Sequence, residues 1–321
     1  MGAVVGLFGL CWGDVGLFLA MPGSGLGNAA INAVGTPEQV KKYGGSYAAM
    51  CITEPGTGSD SANISTTAVA DGDQWVLNGE KYWSSGAGDP RCKVYILMAK
   101  TPDESRKKHQ QHSMFVVDAE VKGVEILRPM MVFGHDDAPH GHMHIRFTDV
   151  RVPASGLLLG EGRGFEIAQG RLGPGRIHHC MRAIGQAESA LEQMCKRSLQ
   201  REAFGKKLAH LGANFDIVAE CRMEIEMARL LCLKAAWYMD QGDGRAAAPW
   251  ISQIKVVAPR VALKVIDEAV QMFGGQGVSQ DTPLATAWTH VRTLRLADGP
   301  DAVHRRQVAR VELKKYTQEK V

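Results

Sequence analysis

Hydrophobic residues recur every three or four positions through the second half of the chain, a spacing that lines one face of a helix. Glycine-rich breaks at 242–244 and 274–277 separate the periodic segments. The pattern predicts an antiparallel bundle of four long helices over residues 159–321. The positions that define it are Ile184, Ala187, Leu191, Met194, Cys195, Ile217, Cys221, Ile225, Ala228, Cys232, Ile254, Val257, Val261, Val265, Ala269 and Phe273.

Residues 49–158 carry a period of two instead. Asp71-Gly72 and Asn78-Gly79 are strong tight-turn pairs on either side of the apolar run 75–77. Such alternation with closely spaced turns predicts an antiparallel, barrel-like β domain. The alternating positions are Val94, Ile96, Met98, Ile145 and Phe147.

Residues 1–48 are rich in glycine and alanine and form a third region. Thr36, Pro37 and Gln39 predict a helix start, because proline is favoured in the first turn. The chain is therefore predicted to be α+β, with parts at 1–48, 49–158 and 159–321.

Charge and cysteine content narrow the possible partners. The formal net charge is +3, from 37 basic and 34 acidic residues, which is too balanced to indicate a nucleic-acid or membrane surface. The apolar stretch before Asp14 is too short to span a bilayer. Seven dispersed cysteines without a CxxC pair are typical of an intracellular protein. We expect cytoplasm in a bacterium, or mitochondrion or peroxisome in a eukaryote.

The segment TEPGTGSD at 53–60 is the first candidate for chemistry. Gly56 and Gly58 permit close approach of the backbone to a ligand. The segment does not continue to GxGxxG and opens a β region, so a Rossmann dinucleotide site is disfavoured. By itself, the segment is equally typical of a plain turn.

Three further segments each have a structural and a functional interpretation. Arg201 in REAFGK suits a phosphate through its planar guanidinium, or caps a helix in solvent. QMFGGQG at 271–277 has the form of a helix C-cap. In LRLADGPDAVH at 294–304, Asp298 either acts as a base or makes an Asx turn before a helix that starts at Asp301.

The order of these motifs resembles the acyl-CoA dehydrogenase family over roughly residues 30–315. The resemblance implies a helical N-terminal part that is truncated here, a middle β-barrel and a C-terminal four-helix bundle. It implies an FAD enzyme that removes the α-proton of an acyl-CoA and transfers the β-hydride to flavin N5. The cofactor contacts it implies are Met50, Ile52, Thr53, Trp83, Ser85, Arg201, Phe204, Gln271, Gly274, Gly275, Pro300 and Asp301.

Asp298 falls on the position of the catalytic base, where most of the family has glutamate after a tyrosine, here Ala297. The branch with an aspartate tends to act on long, branched or hydroxylated acyl chains. The resemblance implies substrate contacts at Ser59, Arg176 and Gly299. It also implies a role in fatty acid β-oxidation, electron-transferring flavoprotein as the electron acceptor, and a dimer or tetramer of identical chains.

Other readings stay open at this point. A flavin oxidase of the same fold that acts on a nitroalkane would also suit an aspartate base. A catalytically inert flavin-binding or scaffold paralogue is the alternative outside enzymes. His140, His142 and His144 alternate as zinc ligands in a strand do, yet no carboxylate or cysteine spacing completes such a site, and no metal is predicted.

Overall fold

The computed structural model describes residues 2–20, 26–137, 140–242 and 244–317 and divides the chain into two compact units. The β unit comprises residues 20–171, and the helical unit comprises residues 1–19 and 172–321. The predicted division at residues 48 and 158 follows changes of sequence pattern, whereas these units follow packing, so that division stays a prediction.

The helices and strands follow the predicted change of period along the chain. The helices are α1 Gly2–Gly13, α2 Val15–Ala20, α3 Asn28–Val34, α4 Pro37–Tyr43, α5 Gly164–Gln200, α6 Asn214–Asp240, α7 Gly244–Phe273, α8 Leu284–Thr293 and α9 Asp301–Leu313. The strands are β1 Tyr47–Cys51, β2 Thr67–Asp71, β3 Gln74–Ser85, β4 Cys92–Lys100, β5 His112–Asp118, β6 Val124–Pro129, β7 His142–Pro153, β8 Leu157–Leu158, β9 Glu202–Ala203 and β10 Lys206–Lys207.

The β unit is built on one eight-stranded sheet. Its strands follow the order β6-β7-β3-β2-β4-β5-β8, and β1 pairs with β4. The predicted antiparallel sheet is mixed instead, because β1 runs parallel to β4 and β2 meets β4 in parallel at Thr67 and Lys100. Parallel neighbours need a crossover connection, and the long segment between β1 and β4 provides it. In the described part of the chain the pairing ends at β6 and β8, so the ladder is not closed into a ring.

One predicted turn is wrong and one is confirmed. Asp71 pairs with Gln74 across a two-residue turn, as the Asp-Gly pair predicted. Asn78-Gly79 lies inside β3 instead, where the pairing with β7 shifts register between Leu77 and Gly79. Gly79 has a φ of +149°, and a Cβ there would collide with Thr66. The glycine therefore makes a bulge that allows a close approach of two backbones.

The helical unit buries the apolar stripes that the sequence predicts. Ile184, Cys221, Ile254 and Val265 are completely buried in one core shared by α5, α6 and α7. The expected start of the last helix at Asp301 is confirmed, and α8 is a fifth helix that the pattern did not reveal. No helix among the described residues is long and apolar enough to cross a bilayer.

Candidate active site

Asp298 lies in the short loop between α8 and α9, within the helical unit. Its φ is +55°, and that of Gly299 is +101°. A left-handed backbone is uncommon outside glycine, although aspartate adopts it more readily than most residues. The two consecutive positive φ values turn the chain sharply into Pro300, which occupies the cap position of α9.

Three helices fix the backbone of this loop by side-chain hydrogen bonds. Arg176 Nε on α5 donates to the Asp298 carbonyl at 3.0 Å, and His304 Nε2 on α9 donates to the same oxygen at 3.2 Å. Lys255 Nζ on α7 donates to Leu294 O at 2.5 Å and to Gly299 O at 3.3 Å. The main chain at Asp298 is therefore held from several directions.

The Asp298 carboxylate has its own partner on α5. His179 Nε2 lies 3.0 Å from Asp298 Oδ2, and the Asp298 side chain is 17% exposed. Arg182 Nη2 lies 2.5 Å from His179 Nδ1. Arg176, His179 and Arg182 are three residues apart, a spacing that places them on one helix face.

Burial controls the titration of the basic groups around the loop. Burial and the charge of Arg176 lower the pKa of His304 to about 4. Burial and the charge of Arg182 lower the pKa of His178 to about 4. Burial also lowers the pKa of His179 and of Lys255. The histidines beside Asp298 are therefore neutral at physiological pH.

Asp301 anchors the first turn of α9. Arg295 donates to Asp301 Oδ2 from Nε at 2.9 Å and from Nη2 at 2.6 Å. An acidic residue in this turn is also stabilised by the helix dipole. Asp301 Oδ1 is buried and has no hydrogen-bond donor among the described residues. It is the kind of acceptor that a ligand hydroxyl would satisfy.

Two other turns of the helical unit carry predicted cofactor contacts. The β9–β10 hairpin turns through Phe204 and Gly205, both with positive φ, as a type I′ turn requires. The Phe204 side chain is 96% exposed. The predicted Arg201 is exposed directly before the hairpin.

The second of these turns follows α7. Gly274 has a φ of +65°, and neither Gly274 nor Gly275 has an atom within 4 Å of a Cβ built there. Gln271 is exposed one turn earlier. The Arg197 guanidinium lies 5.2 Å from the ring centre of Phe273, so the end of α7 lies beside the end of α5, which leads into the hairpin.

In the β unit, a buried ion pair ties the TEPGTGSD loop to β3. Lys81 Nζ lies 2.8 Å from Glu54 Oε1 and donates to Ile52 O at 3.1 Å. The amide of Tyr82 donates to Thr53 O at 2.7 Å. Ile52 and Thr53 are thereby held next to β3, while Ser59 is exposed farther along the loop.

Trp83 presents its ring at the end of β3. Its φ is +58°, and its side chain is 40% exposed. His142 packs on it edge to face at 5.6 Å. Since His142 Nε2 faces a carboxylate oxygen of Asp137 at 3.1 Å, Nδ1 of the neutral ring accepts a hydrogen bond from Ser85 Oγ at 2.7 Å. Met50, by contrast, is buried in the core, so only its backbone is available.

The structure thus groups the predicted site residues within each unit. The β unit carries Met50, Ile52, Thr53, Ser59, Trp83 and Ser85, and the helical unit carries Arg176, Arg201, Phe204, Gln271, Gly274, Gly275, Asp298, Gly299, Pro300 and Asp301. Sequence reasoning missed the residues that support them. The spacing of three residues from Arg176 was a usable signal for His179 and Arg182. No feature of the neighbouring sequence indicated a role for Lys255 or Lys81.

Each unit, taken by itself, carries residues that fit part of a planar, polar cofactor such as FAD. Trp83 offers an exposed aromatic face. Gly56 and Gly58 have nothing within 4 Å of a Cβ built there, so a ligand can approach the loop backbone. Asp301 Oδ1 supplies a buried acceptor. A metal ion has no comparable support. The described residues contain no group of three His, Cys, Asp or Glu side chains that could hold one. His142 and His144 are hydrogen-bonded to Asp137 and Glu80 instead.

Comparison with known families agrees with this arrangement. Residues 49–150 match the family described as acyl-CoA dehydrogenase, middle domain. Residues 162–313 match acyl-CoA dehydrogenase, C-terminal domain. The two matches together span most of the chain and include every motif segment described above.

Individual relatives give the same picture. Acyl-CoA dehydrogenase family member 11 of Gallus gallus is 52% identical over 291 residues, which are 88% of this chain and 38% of that protein. The probable acyl-CoA dehydrogenase FadE2 of Mycobacterium tuberculosis is 52% identical over 267 residues, 83% of this chain and 65% of that protein. The chain therefore spans less than two thirds of either relative. The solved structure of butyryl-CoA dehydrogenase from Megasphaera elsdenii matches 97% of this chain and 81% of its own, with a TM-score of 0.86 and 30% identity.

Proposed function

The chain belongs to the acyl-CoA dehydrogenase family, and on that premise we propose that it oxidises the α,β carbon–carbon bond of an acyl-CoA thioester with FAD as cofactor. Asp298 is the proposed base. The observation that carries this proposal is the support of Asp298, since its carbonyl is held by Arg176 and His304 and its carboxylate by His179. Such convergence on one strained acidic residue is typical of functional sites.

Asp298 would receive the α-proton of the thioester on its carboxylate. An aspartate carboxylate reaches roughly 1.5 Å less far than that of glutamate. The left-handed backbone at Asp298 sets where the carboxylate starts, and Ala297 leaves more room than the tyrosine usual in the family. The small side chain of Ala297 would fit a bulkier acyl chain. When bound, FAD would accept the β-hydride.

The proposed cofactor and substrate contacts are assigned within each unit separately. We propose that Ile52, Thr53, Trp83 and Ser85 contact the flavin ring. Arg201 and Phe204, with Gln271, Gly274 and Gly275, would contact the phosphate and adenosine parts, where a guanidinium fork suits phosphate oxygens. Pro300 and Asp301 complete the proposed cofactor contacts. Ser59, Arg176 and Gly299 are the proposed substrate contacts.

The wider setting of the reaction is also a proposal. Electron-transferring flavoprotein would reoxidise the flavin, and identical chains would assemble as a dimer or tetramer. We place the enzyme in fatty acid β-oxidation inside the cell, in the cytoplasm of a bacterium or in the mitochondrion or peroxisome of a eukaryote. All seven cysteines are thiols, and six of them are buried, as suits a reducing compartment.

Anaerobic titration of the purified protein with a panel of acyl-CoAs tests the proposal, by the oxidised-flavin absorbance at about 450 nm. At least one acyl-CoA is expected to bleach the flavin. Asp298→Asn should retain the yellow colour but slow bleaching by at least about 100-fold, as the loss of a general base does. Asp281→Asn, at an exposed site before α8, is the matched control and should bleach at the normal rate.

Three outcomes would contradict the proposal. A yellow protein that no acyl-CoA bleaches would contradict dehydrogenase activity, and bleaching by a nitroalkane would then select the oxidase alternative. A yellow protein that nothing bleaches would select an inert flavin-binding paralogue. A colourless protein that takes up no FAD would show that this chain does not build the flavin site.

A further inference from the structure

The hydrogen bonds around His179 determine where its single ring proton lies. Arg182 Nη2 lies 2.5 Å from His179 Nδ1. A guanidinium carries only donors, so Nδ1 must be the acceptor. A neutral imidazole has one N–H, which is therefore on Nε2, 3.0 Å from Asp298 Oδ2. The order of donation is Arg182 to His179 to Asp298.

We propose that Arg182 fixes the tautomer of His179, and that His179 thereby positions the carboxylate of Asp298 for proton abstraction. The second half of this inference rests on the proposed function. His179 and Arg182 are positioning residues, since both act through Asp298.

The alternative tautomer would misplace the base. With the proton on Nδ1, the lone pair of Nε2 would face a carboxylate oxygen at 3.0 Å, and two acceptors at this distance repel each other. The carboxylate would have to rotate away. Arg182 prevents this, because its N–H would collide with a proton on Nδ1.

A neutral His179 also suits a base better than a charged one. The charged groups that face the ring are Arg182 on α5, Lys255 on α7 and Asp298 in the loop before α9. Two cations and burial together oppose a third positive charge on the imidazole. A neutral donor orients the carboxylate, whereas an imidazolium would stabilise its ionised form and weaken it as a proton acceptor.

Nitrogen NMR of the 321-residue chain labelled with ¹⁵N-histidine tests the tautomer without any turnover. The signals of His179 are assigned by their loss in His179→Gln. We expect a protonated Nε2 and an unprotonated Nδ1 at neutral pH. In Arg182→Met, Nδ1 loses its donor while Asp298 still accepts from Nε2, so the ring should instead take up a second proton and become an imidazolium. A proton on Nδ1 in the wild type, or an unchanged spectrum in Arg182→Met, would overturn the inference.

The positioning role is tested by a matched pair of variants. His179→Gln places an amide N–H near the position of Nε2, whereas His179→Phe keeps the ring volume and removes the donor. His179→Phe should slow flavin reduction about 10- to 100-fold, as expected for the loss of a hydrogen bond to a charged group, with the acyl-CoA concentration at half-saturation nearly unchanged. His179→Gln should recover most of the rate that His179→Phe loses. Arg182→Lys should likewise recover most of the rate that Arg182→Met loses.

The two proposals fail in different ways. If the wild type oxidises an acyl-CoA but His179→Phe is as fast, or His179→Gln is as slow as His179→Phe, the positioning role is wrong and the proposed function stands. If no acyl-CoA reduces the wild type, the proposed function is wrong, and the NMR measurement still decides where the proton of His179 lies.

Discussion

Lys81 Nζ lies 2.8 Å from Glu54 Oε1, and the two side chains are 0% and 2% exposed. The amide and hydroxyl of Ser65 lie 2.5 and 2.6 Å from Glu54 Oε2, and those of Thr66 lie 2.9 and 2.5 Å from Oε1. A buried ion pair is tolerated when its remaining polar atoms are satisfied. This one holds the TEPGTGSD loop, with its predicted flavin contacts, against β3.

Removal of Lys81 should be strongly destabilising. Lys81→Met leaves a buried carboxylate without its cation, which typically costs about 3–5 kcal/mol. Urea unfolding measures the loss. Lys93→Met is the matched control, because Lys93 and Glu120 form an ion pair with side chains 59% and 78% exposed, worth about 1 kcal/mol at most. Equal losses in the two variants would show that the buried pair has no structural role.

The same pair predicts how stability falls in acid. Burial opposes ionisation of Glu54, but the Lys81 ammonium and the hydrogen bonds from Ser65 outweigh it and lower the pKa of Glu54 from 4.5 to about 2. Between these values the unfolded chain binds more protons than the folded one, so stability is lost as pH falls from 4.5 to about 2.

Unfolding measured across that window in Glu54→Gln tests the assignment. The variant should be less stable at neutral pH and should lose less stability on acidification than the wild type. Glu38→Gln, at an exposed position on α4, should keep the acid dependence of the wild type. An unchanged acid dependence in Glu54→Gln would contradict the assignment.

Phe204 should show opposite effects on stability and on cofactor binding. Its ring is 96% exposed on a backbone with a φ of +53°, a conformation that asparagine adopts more easily. Phe204→Asn is expected to leave thermal stability of the cofactor-free protein unchanged or raised by up to about 1 kcal/mol, and to weaken FAD retention in gel filtration. Phe215→Asn, which removes another exposed phenylalanine, should retain FAD. Full retention of FAD by Phe204→Asn would argue against its proposed contact.

Hydrophobic periodicity predicted most of the fold, because a helix or strand that is buried on one face shows a regular hydrophobic repeat within a short stretch of sequence. The apolar stripes that contain Ile184 on α5 and Ile254 on α7 could be predicted for that reason. β4 was harder to place, since it is buried on both faces and pairs in parallel with β1, a partner about forty residues earlier in the chain. Asn78-Gly79 resembled a turn because a glycine with positive φ occurs in bulges as well as in turns. The contact that requires it comes from Thr66, on a different part of the chain.

The candidate site was predictable where a motif is continuous in sequence. Asp298, Gly299 and Asp301 lie within a few residues of one another. The supports of this loop from α5 and α7 are over a hundred and about forty residues away in the chain, whereas His304 on α9 is close in sequence. Lys255 lies among apolar residues in the sequence. Its hydrogen bonds go to backbone carbonyls, which every residue carries, so no partner residue type could be recognised from the sequence. Its role became visible only when the Leu294 and Gly299 carbonyls were placed beside it.

His304 should make stability fall as pH drops below neutral. Burial and the charge of Arg176 lower its pKa from 6.5 to about 4, so the unfolded chain takes up a proton that the folded chain resists. Stability is therefore lost as pH falls from 6.5 to about 4, by up to roughly 3 kcal/mol at 1.4 kcal/mol per pH unit.

His304→Gln keeps a donor for the Asp298 carbonyl but cannot titrate. Denaturant unfolding between pH 4 and 7 should show a shallower loss for His304→Gln, with the partly buried His178 and the lowered pKa of His112 and of His179 accounting for the slope that remains. His135→Gln, at an exposed site, is the control and should follow the wild type. A wild-type slope in His304→Gln would mean that the imidazole beside Asp298 is charged in the folded protein, contrary to its burial.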